Sequence, residues 1–234
     1  MNTSGAWSWF FIAAACAVAA AVFLGFAPSF YLRAPERGPL SPLFIAHGLV
    51  FTAWFALFIA QAVLARRGAF TLHKTLGFAS APLALAMVLL GFEAGRDAFL
   101  RGVGLSEGGP PEVFFFLSWS DALGFTLLYG AALLMRRRGD WHKRLMLLAS
   151  ISMLLPATGR LSVTLGVDPL SAVAMQFAFL APLLAFDLRT LRRAHPATLA
   201  GAALLVLKIV GVFTLAETEA WFAYARWLTA EGFF

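Results

Sequence analysis

Cysteine is almost missing from this chain. Cys16 is the only one and lies in an apolar run, so neither an intramolecular disulfide nor a cysteine-based metal site can form. Charge is scarce as well. Asp, Glu, Lys and Arg make up 13% of the 234 residues, against roughly 25% in an ordinary soluble domain. No Lys or Arg precedes Arg33. A secretory signal normally carries a positive segment ahead of its apolar core, so residues 7–28 read as a retained first span. No HExxH or Walker-type stretch occurs, which leaves no zincin or P-loop nucleotide signature to build on.

What the chain has instead is apolar length. Of its residues, 61% are apolar, gathered in runs of about 20, the length that crosses a bilayer core as helix. Spans are expected at about 7–28, 43–65, 73–95, 113–135, 142–164, 170–188 and 197–216, an all-α bundle of seven transmembrane helices in one domain. The tail, 217–234, mixes aromatics with Glu219, Arg226 and Glu231 and is expected to lie in the interface as an amphipathic helix.

Basic residues sort between the loops. Arg66, Arg67, Lys74, Arg136, Arg137, Arg138, Lys143, Arg144, Arg189, Arg192 and Arg193 fall at one end, and only Arg33, Arg37, Arg96, Arg101 and Arg160 at the other. The positive-inside rule puts the first set in the cytoplasm, the N-terminus inside and the C-terminus outside, in a bacterial inner membrane. A net charge of +6 and a pI near 10.2 follow from this sorting and call for no nucleic-acid partner. Acidic residues sort the other way: Asp140 and Asp187 inside, Glu36, Glu93, Asp97, Glu107, Glu112, Asp121 and Asp168 outside.

Histidine occurs four times. A basic cluster followed closely by His repeats at the starts of spans 3, 5 and 7: ARRGAFTLHKTLG, RRRGDWHKRLM and LRRAHPATLAG. Alternate spans point the same way, so His73, His142 and His195 share the basic end. Neutral imidazole is a ligand for haem iron and other transition metals. His73 and His142 from two helices are the candidate cofactor pair for at most one haem b, with interfacial hydrogen bonding and no cofactor as the alternative. His195 precedes Pro196 in a basic loop and is not expected to ligate.

His47, Trp54 and Gln61 are seven residues apart. Seven residues make nearly two helical turns, so the three share one stripe. A polar stripe in a membrane helix faces the bundle or a cavity rather than lipid. At the other end, His47, Glu93, Asp121 and Arg160 form an expected outer polar cluster, either a structural network with Arg160 paired to Asp121 or Glu93, or a site that binds a hard or borderline metal or relays protons, although no specific metal ligand is assigned. Lys208, eleven or so residues into span 7, lies near the bilayer midplane and must face the interior, snorkel or lose its proton. Gln61 and Lys208 are thus the intramembrane polar candidates.

The motifs His47…Trp54…Gln61, Leu72-His73-Lys74-Thr75-Leu76-Gly77 and His142-Lys143-Arg144-Leu145-Met146 followed by Arg160 resemble those of a group of bacterial polytopic membrane proteins with no established activity. The resemblance covers spans 2 to 5, about half the chain. A looser similarity is to the transmembrane di-haem cytochromes b of the ascorbate and ferric reductase type. That similarity implies haem on paired helix-end histidines. The chain departs from the pattern because only His47 lies at the opposite end, which leaves one haem rather than two. Three functions follow as expectations: electron transfer with one haem on His73 and His142; an accessory subunit of a larger membrane complex; and a proton-coupled carrier using His47, Glu93, Asp121, Arg160 and Lys208.

Overall fold

Helix is the structure that satisfies every backbone amide without water, and an apolar chain in a bilayer has no other local option. The computed structural model describes residues 3–104, 110–168 and 170–230, with side chains from Trp9 onward; Glu107 and Glu231 lie outside the described residues. No strand occurs among them. The helices are α1 (Thr3–Phe26), α2 (Pro42–Arg66), α3 (Phe70–Leu100), α4 (Pro111–Leu134), α5 (Gly139–Ser152), α6 (Leu155–Leu165), α7 (Ser171–Ala178), α8 (Leu180–Leu191), α9 (Pro196–Thr214) and α10 (Glu219–Thr229). Six helical stretches are long and apolar enough to cross a membrane, with α7 and α8 together forming one of them. The pair α5 and α6, bent by 47° at its break, makes a seventh if counted as one span. The protein is an integral membrane helical bundle.

Helix ends follow the local sequence. Ser41 caps α2, its hydroxyl accepting from the Phe44 amide at 3.5 Å, with Pro42 in the first turn where a missing N–H costs nothing. The same helix stops at Gly68, whose φ of +70° lets the Ala69 amide turn back to the Leu64 carbonyl at 3.0 Å and the Gly68 amide to Ala65 at 3.2 Å. α1 continues through a wider π turn, Ala27–Tyr31, that contains Pro28.

Two expected spans are not single helices. Residues 142–164 divide into α5 and α6, and 170–188 into α7 and α8. Proline is the local reason. Pro156 lies just past the first break and Pro182 just past the second, and a proline removes a helical N–H and crowds the carbonyl four residues back. Pro82 sits inside α3 without ending it. The tail is helical, as α10, but it docks on α4 rather than only lying flat. Trp221 is buried against Phe115 and Phe116 and donates from its indole to the Glu112 carbonyl at 2.8 Å.

Packing runs in chain order and then closes. α2 packs on α3, α3 on α4 and α4 on α5. α1 lies against α2, α5 and α6, while α9 packs on α4 and α5. The main core holds Trp54, Phe125, Met87, Leu148, Ile151 and Leu183. Large apolar residues such as Phe78, Leu134 and Val163 point outward, each about four-fifths exposed. That is the surface a bilayer contacts.

Candidate functional site

Three polar centres lie on this scaffold. The first is at the basic end, where α2 ends, α3 and α5 start, and α4 ends. His73 stands in the first turn of α3, and its Nδ1 lies 3.3 Å from the Gln61 carbonyl while the Gln61 amide donates back to the His73 carbonyl at 3.1 Å. His142 stands in the first turn of α5, its Nδ1 2.8 Å from the Ala132 carbonyl. A carbonyl can only accept, so in both rings Nδ1 carries the hydrogen and Nε2 keeps its lone pair in the neutral form. The two ring centres are 6.4 Å apart with the planes crossed at 83°. A metal about 2 Å from each nitrogen and in line between them separates two ring centres by about 6 Å, so the ring-centre spacing matches that of two imidazoles on opposite sides of one ion. Among the described residues no group of three or more potential metal ligands occurs, which limits protein ligation here to these two.

The second centre is at the midplane, where α5 breaks. Lys208 lies twelve residues into α9, ~18 Å from its start, and Asp121 ten residues into α4, ~15 Å from its start. Both are buried and paired, Lys208 Nζ donating to Asp121 Oδ1. Lys208 also donates to the Ser152 carbonyl at 2.7 Å. That oxygen is free because the residue four positions on is Pro156, which has no N–H to give it. Gln176 of α7, fully buried, donates to the Ile151 and Ser152 carbonyls at 3.0 and 3.2 Å. The break is therefore held by side chains from two other helices. Gln176 Oε1 is sealed from solvent without a hydrogen-bond donor.

The third centre locks the basic end. Asp187 of α8 is fully buried and accepts from Arg144 Nε at 2.8 Å, from the His195 amide at 3.0 Å and from Thr198 Oγ1 at 2.6 Å. Arg144 Nη2 adds a 2.6 Å contact to the same carboxylate and Nη1 donates to the Asp140 carbonyl at 2.8 Å. His195 caps α9, accepting from the Ala197 amide at 3.1 Å while its Nε2 meets Asp140 Oδ2 at 3.2 Å. Every member has a partner, which is the condition for a buried ionic network to hold helices together.

The expected outer cluster is not one site. Asp121 pairs with Lys208, not with Arg160, because α9 rather than α6 packs against that face of α4. Glu93 meets Arg96 at 3.7 Å on its own helix. Arg160 is exposed, donates to the Pro156 carbonyl at 3.2 Å and lies 4.5 Å over the Phe26 ring. His47 donates from Nδ1 to the Leu90 carbonyl at 3.3 Å and stacks on Phe51. The stripe on α2 does face inward. Trp54 is buried and donates to Ser150 Oγ at 3.3 Å, and Gln61 serves His73. Ser80 on α3 is buried, bonded to the Tyr129 hydroxyl at 2.8 Å and to the Gly77 carbonyl at 2.6 Å.

Sequence reasoning missed the Arg144–Asp187 pair. Its signal was an aspartate one turn before the end of an apolar segment and an arginine directly after the motif histidine and lysine. Both sit among the loop-flanking charges of the sequence. Gln176 was missed too, although a lone amide in an apolar run is a polar group in need of a partner.

No protein-family model matches the chain, and no curated protein or solved structure is detectably similar to it.

Proposed function

We propose that this protein is a membrane electron carrier holding one b-type haem between His73 and His142. The observation that supports this reading is the paired geometry: ring centres 6.4 Å apart, both Nδ1 atoms engaged by carbonyls. A ligating imidazole almost always donates its other nitrogen to a carbonyl or carboxylate, which fixes the ring and its tautomer. Gln61 orients His73, and the last turn of α4 orients His142. His73 and His142 would hold the haem, which would supply one-electron chemistry there. The excess of basic residues beside the pair supports assigning this end to the cytoplasm and the membrane to a bacterial inner membrane. No observation favours the accessory-subunit reading.

Protein purified in mild detergent from haem-replete cells is expected to show a Soret band and a 1:1 haem content. His73→Ala and His142→Ala each abolish the band, and His195→Ala leaves it. Protein without Soret absorption and without stoichiometric transition metal ends the proposal.

A second reading has a specific observation behind it. Carriers often bind their substrates and ions at a discontinuous helix near the midplane, and the broken α5–α6 span meets the Asp121–Lys208 pair there. Uptake or efflux in proteoliposomes that is lost in the charge-free double variant Asp121→Leu with Lys208→Met, with haem content unchanged, would favour this reading over electron transfer.

A further inference from the structure

A groove of about 270 Å³ opens between α1, α5 and the α7–α8 break, and its lining is apolar almost throughout. Small residues make it. Ala14 and Ala17 on α1 leave space that larger side chains would fill, and Pro182 of α8 lines the other side. Phe10, near the start of α1, and Ile151, at the α5 break, both line it.

The groove has a direction. Lys143, Leu147 and Ile151 follow one another at four-residue spacing along α5, so they form a single stripe. The last two line the groove, and Lys143 stands one turn beyond them toward the basic end. From Lys143 to Ile151 is eight residues, ~12 Å of helix. One leaflet of hydrocarbon is about 15 Å, half of a 30 Å core. The groove thus runs from headgroup level to near the midplane and stops there.

Its mouth is cationic. Lys143 is exposed, with Nζ 5.0 Å from the centre of the Phe11 ring and 5.7 Å from that of Phe186. Phe186 stacks on Phe10 at 4.5 Å, which ties the charge to the groove's lining. The acidic groups near Lys143 are Asp140 and Asp187, and the other cation is Arg144. Asp187 is committed to Arg144, Thr198 and the His195 amide, and Asp140 to His195. No ion pair among the described residues uses Lys143. On the α1 side, Arg66 lies 3.6 Å over the Trp9 ring, next to Phe10.

We propose that this groove binds one acyl chain of an anionic phospholipid, with the phosphate headgroup on Lys143. The apolar wall selects a hydrocarbon chain, its length matches one leaflet, and the cation at the mouth selects negative charge. Basic sites between membrane helices bind anionic headgroups in the same way. The site is separate from the histidine pair, and its test does not depend on haem.

The experiment is native mass spectrometry of the full-length protein. Phosphatidylglycerol and phosphatidylcholine of equal chain length are added at equal concentration. Phosphatidylglycerol is expected to be retained preferentially. Lys143→Ala reduces that preference about fivefold, the worth of one cation near a membrane surface. Ala14→Phe, which fills the groove, removes retention of both lipids while leaving the thermal midpoint within a few degrees. Should Ala14→Phe unfold the chain, Ala17→Leu serves as the second filling variant. Equal retention of the two lipids by the parent protein overturns the proposal. So does a preference that survives both Lys143→Ala and groove filling. Recovery of an isoprenoid quinone instead of phospholipid from the purified protein also overturns it.

Discussion

Lys208 donates to the carbonyl of Ser152, 2.7 Å away and 56 residues distant in the chain. The oxygen is available because Pro156 leaves it without a helical donor. A cation from α9 therefore takes the place of a backbone N–H in α5, and Asp121 of α4 balances its charge. Three helices meet at one polar point in an apolar core.

Removing one member of that point leaves an uncompensated charge. Lys208→Met is expected to destabilise the protein by about 3–5 kcal/mol, since the Asp121 carboxylate stays buried without its partner. The double variant Asp121→Leu with Lys208→Met should recover most of the loss. Thermal unfolding in detergent, followed by size-exclusion chromatography, gives both numbers. A double variant no more stable than Lys208→Met shows that the pair is not what holds α4 to α9.

Pro156→Ala restores an N–H at position 156, which competes with Lys208 for the Ser152 carbonyl. The break should close and the 47° bend should relax. Spin labels near Gly139 and Leu165 are then expected to move apart by about 3 Å, the difference between a bent and a straight helix of this length. An unchanged distance means that packing on α1 and α7, not the proline, sets the bend.

That the chain is an all-α bundle with six to seven helices able to cross a membrane was readable, because mean hydropathy is a property of consecutive residues. That His73 and His142 share an end was readable too, since alternate spans must run the same way. Their separation was not, because it depends on how α3, α4 and α5 pack. Asp121 and Lys208 are 87 residues apart, and nothing local to either says that α9 rather than α6 lies against α4. The expected pairing of Arg160 with Asp121 or Glu93 rests on depth alone, and depth does not fix azimuth. Pro156 was visible in the sequence, but whether a proline kinks, breaks or passes unnoticed depends on partners for the freed carbonyl. At Pro82 α3 continues through, whereas at Pro156 Lys208 and Gln176 supply those partners.

The lock at the basic end separates buried from exposed charge. Asp187→Ala strips Arg144 of its carboxylate and the His195 amide of its acceptor, at an expected cost of about 3–5 kcal/mol. Arg160→Ala removes one carbonyl contact and one ring contact at an exposed position, worth about 1 kcal/mol or less. Midpoints measured side by side in the same detergent decide the order. Equal losses would contradict the burial difference between the two sites.

Orientation is open to direct chemical labelling. In a Cys16→Ala background, Gly139→Cys sits at the first residue of α5, beside the basic loop that follows α4. It is expected to resist a membrane-impermeant maleimide in intact cells and to react once the cells are opened. Reaction in intact cells would turn the whole bundle over.

Gly25 has the backbone of α6 directly against it: a Cβ there would run into the Ala157 carbonyl. Ala157 follows Gly25 by 132 residues. At a synthesis rate of about 5–20 residues per second, roughly 7–26 s pass between the making of that notch and the making of the helix that fills it. Through that interval the first span has α2 beside it but an open seat on its other side, bare backbone turned to lipid. Whatever occupies that seat in the meantime must be weakly held and readily displaced, because α6 has to reach it before the bundle can close.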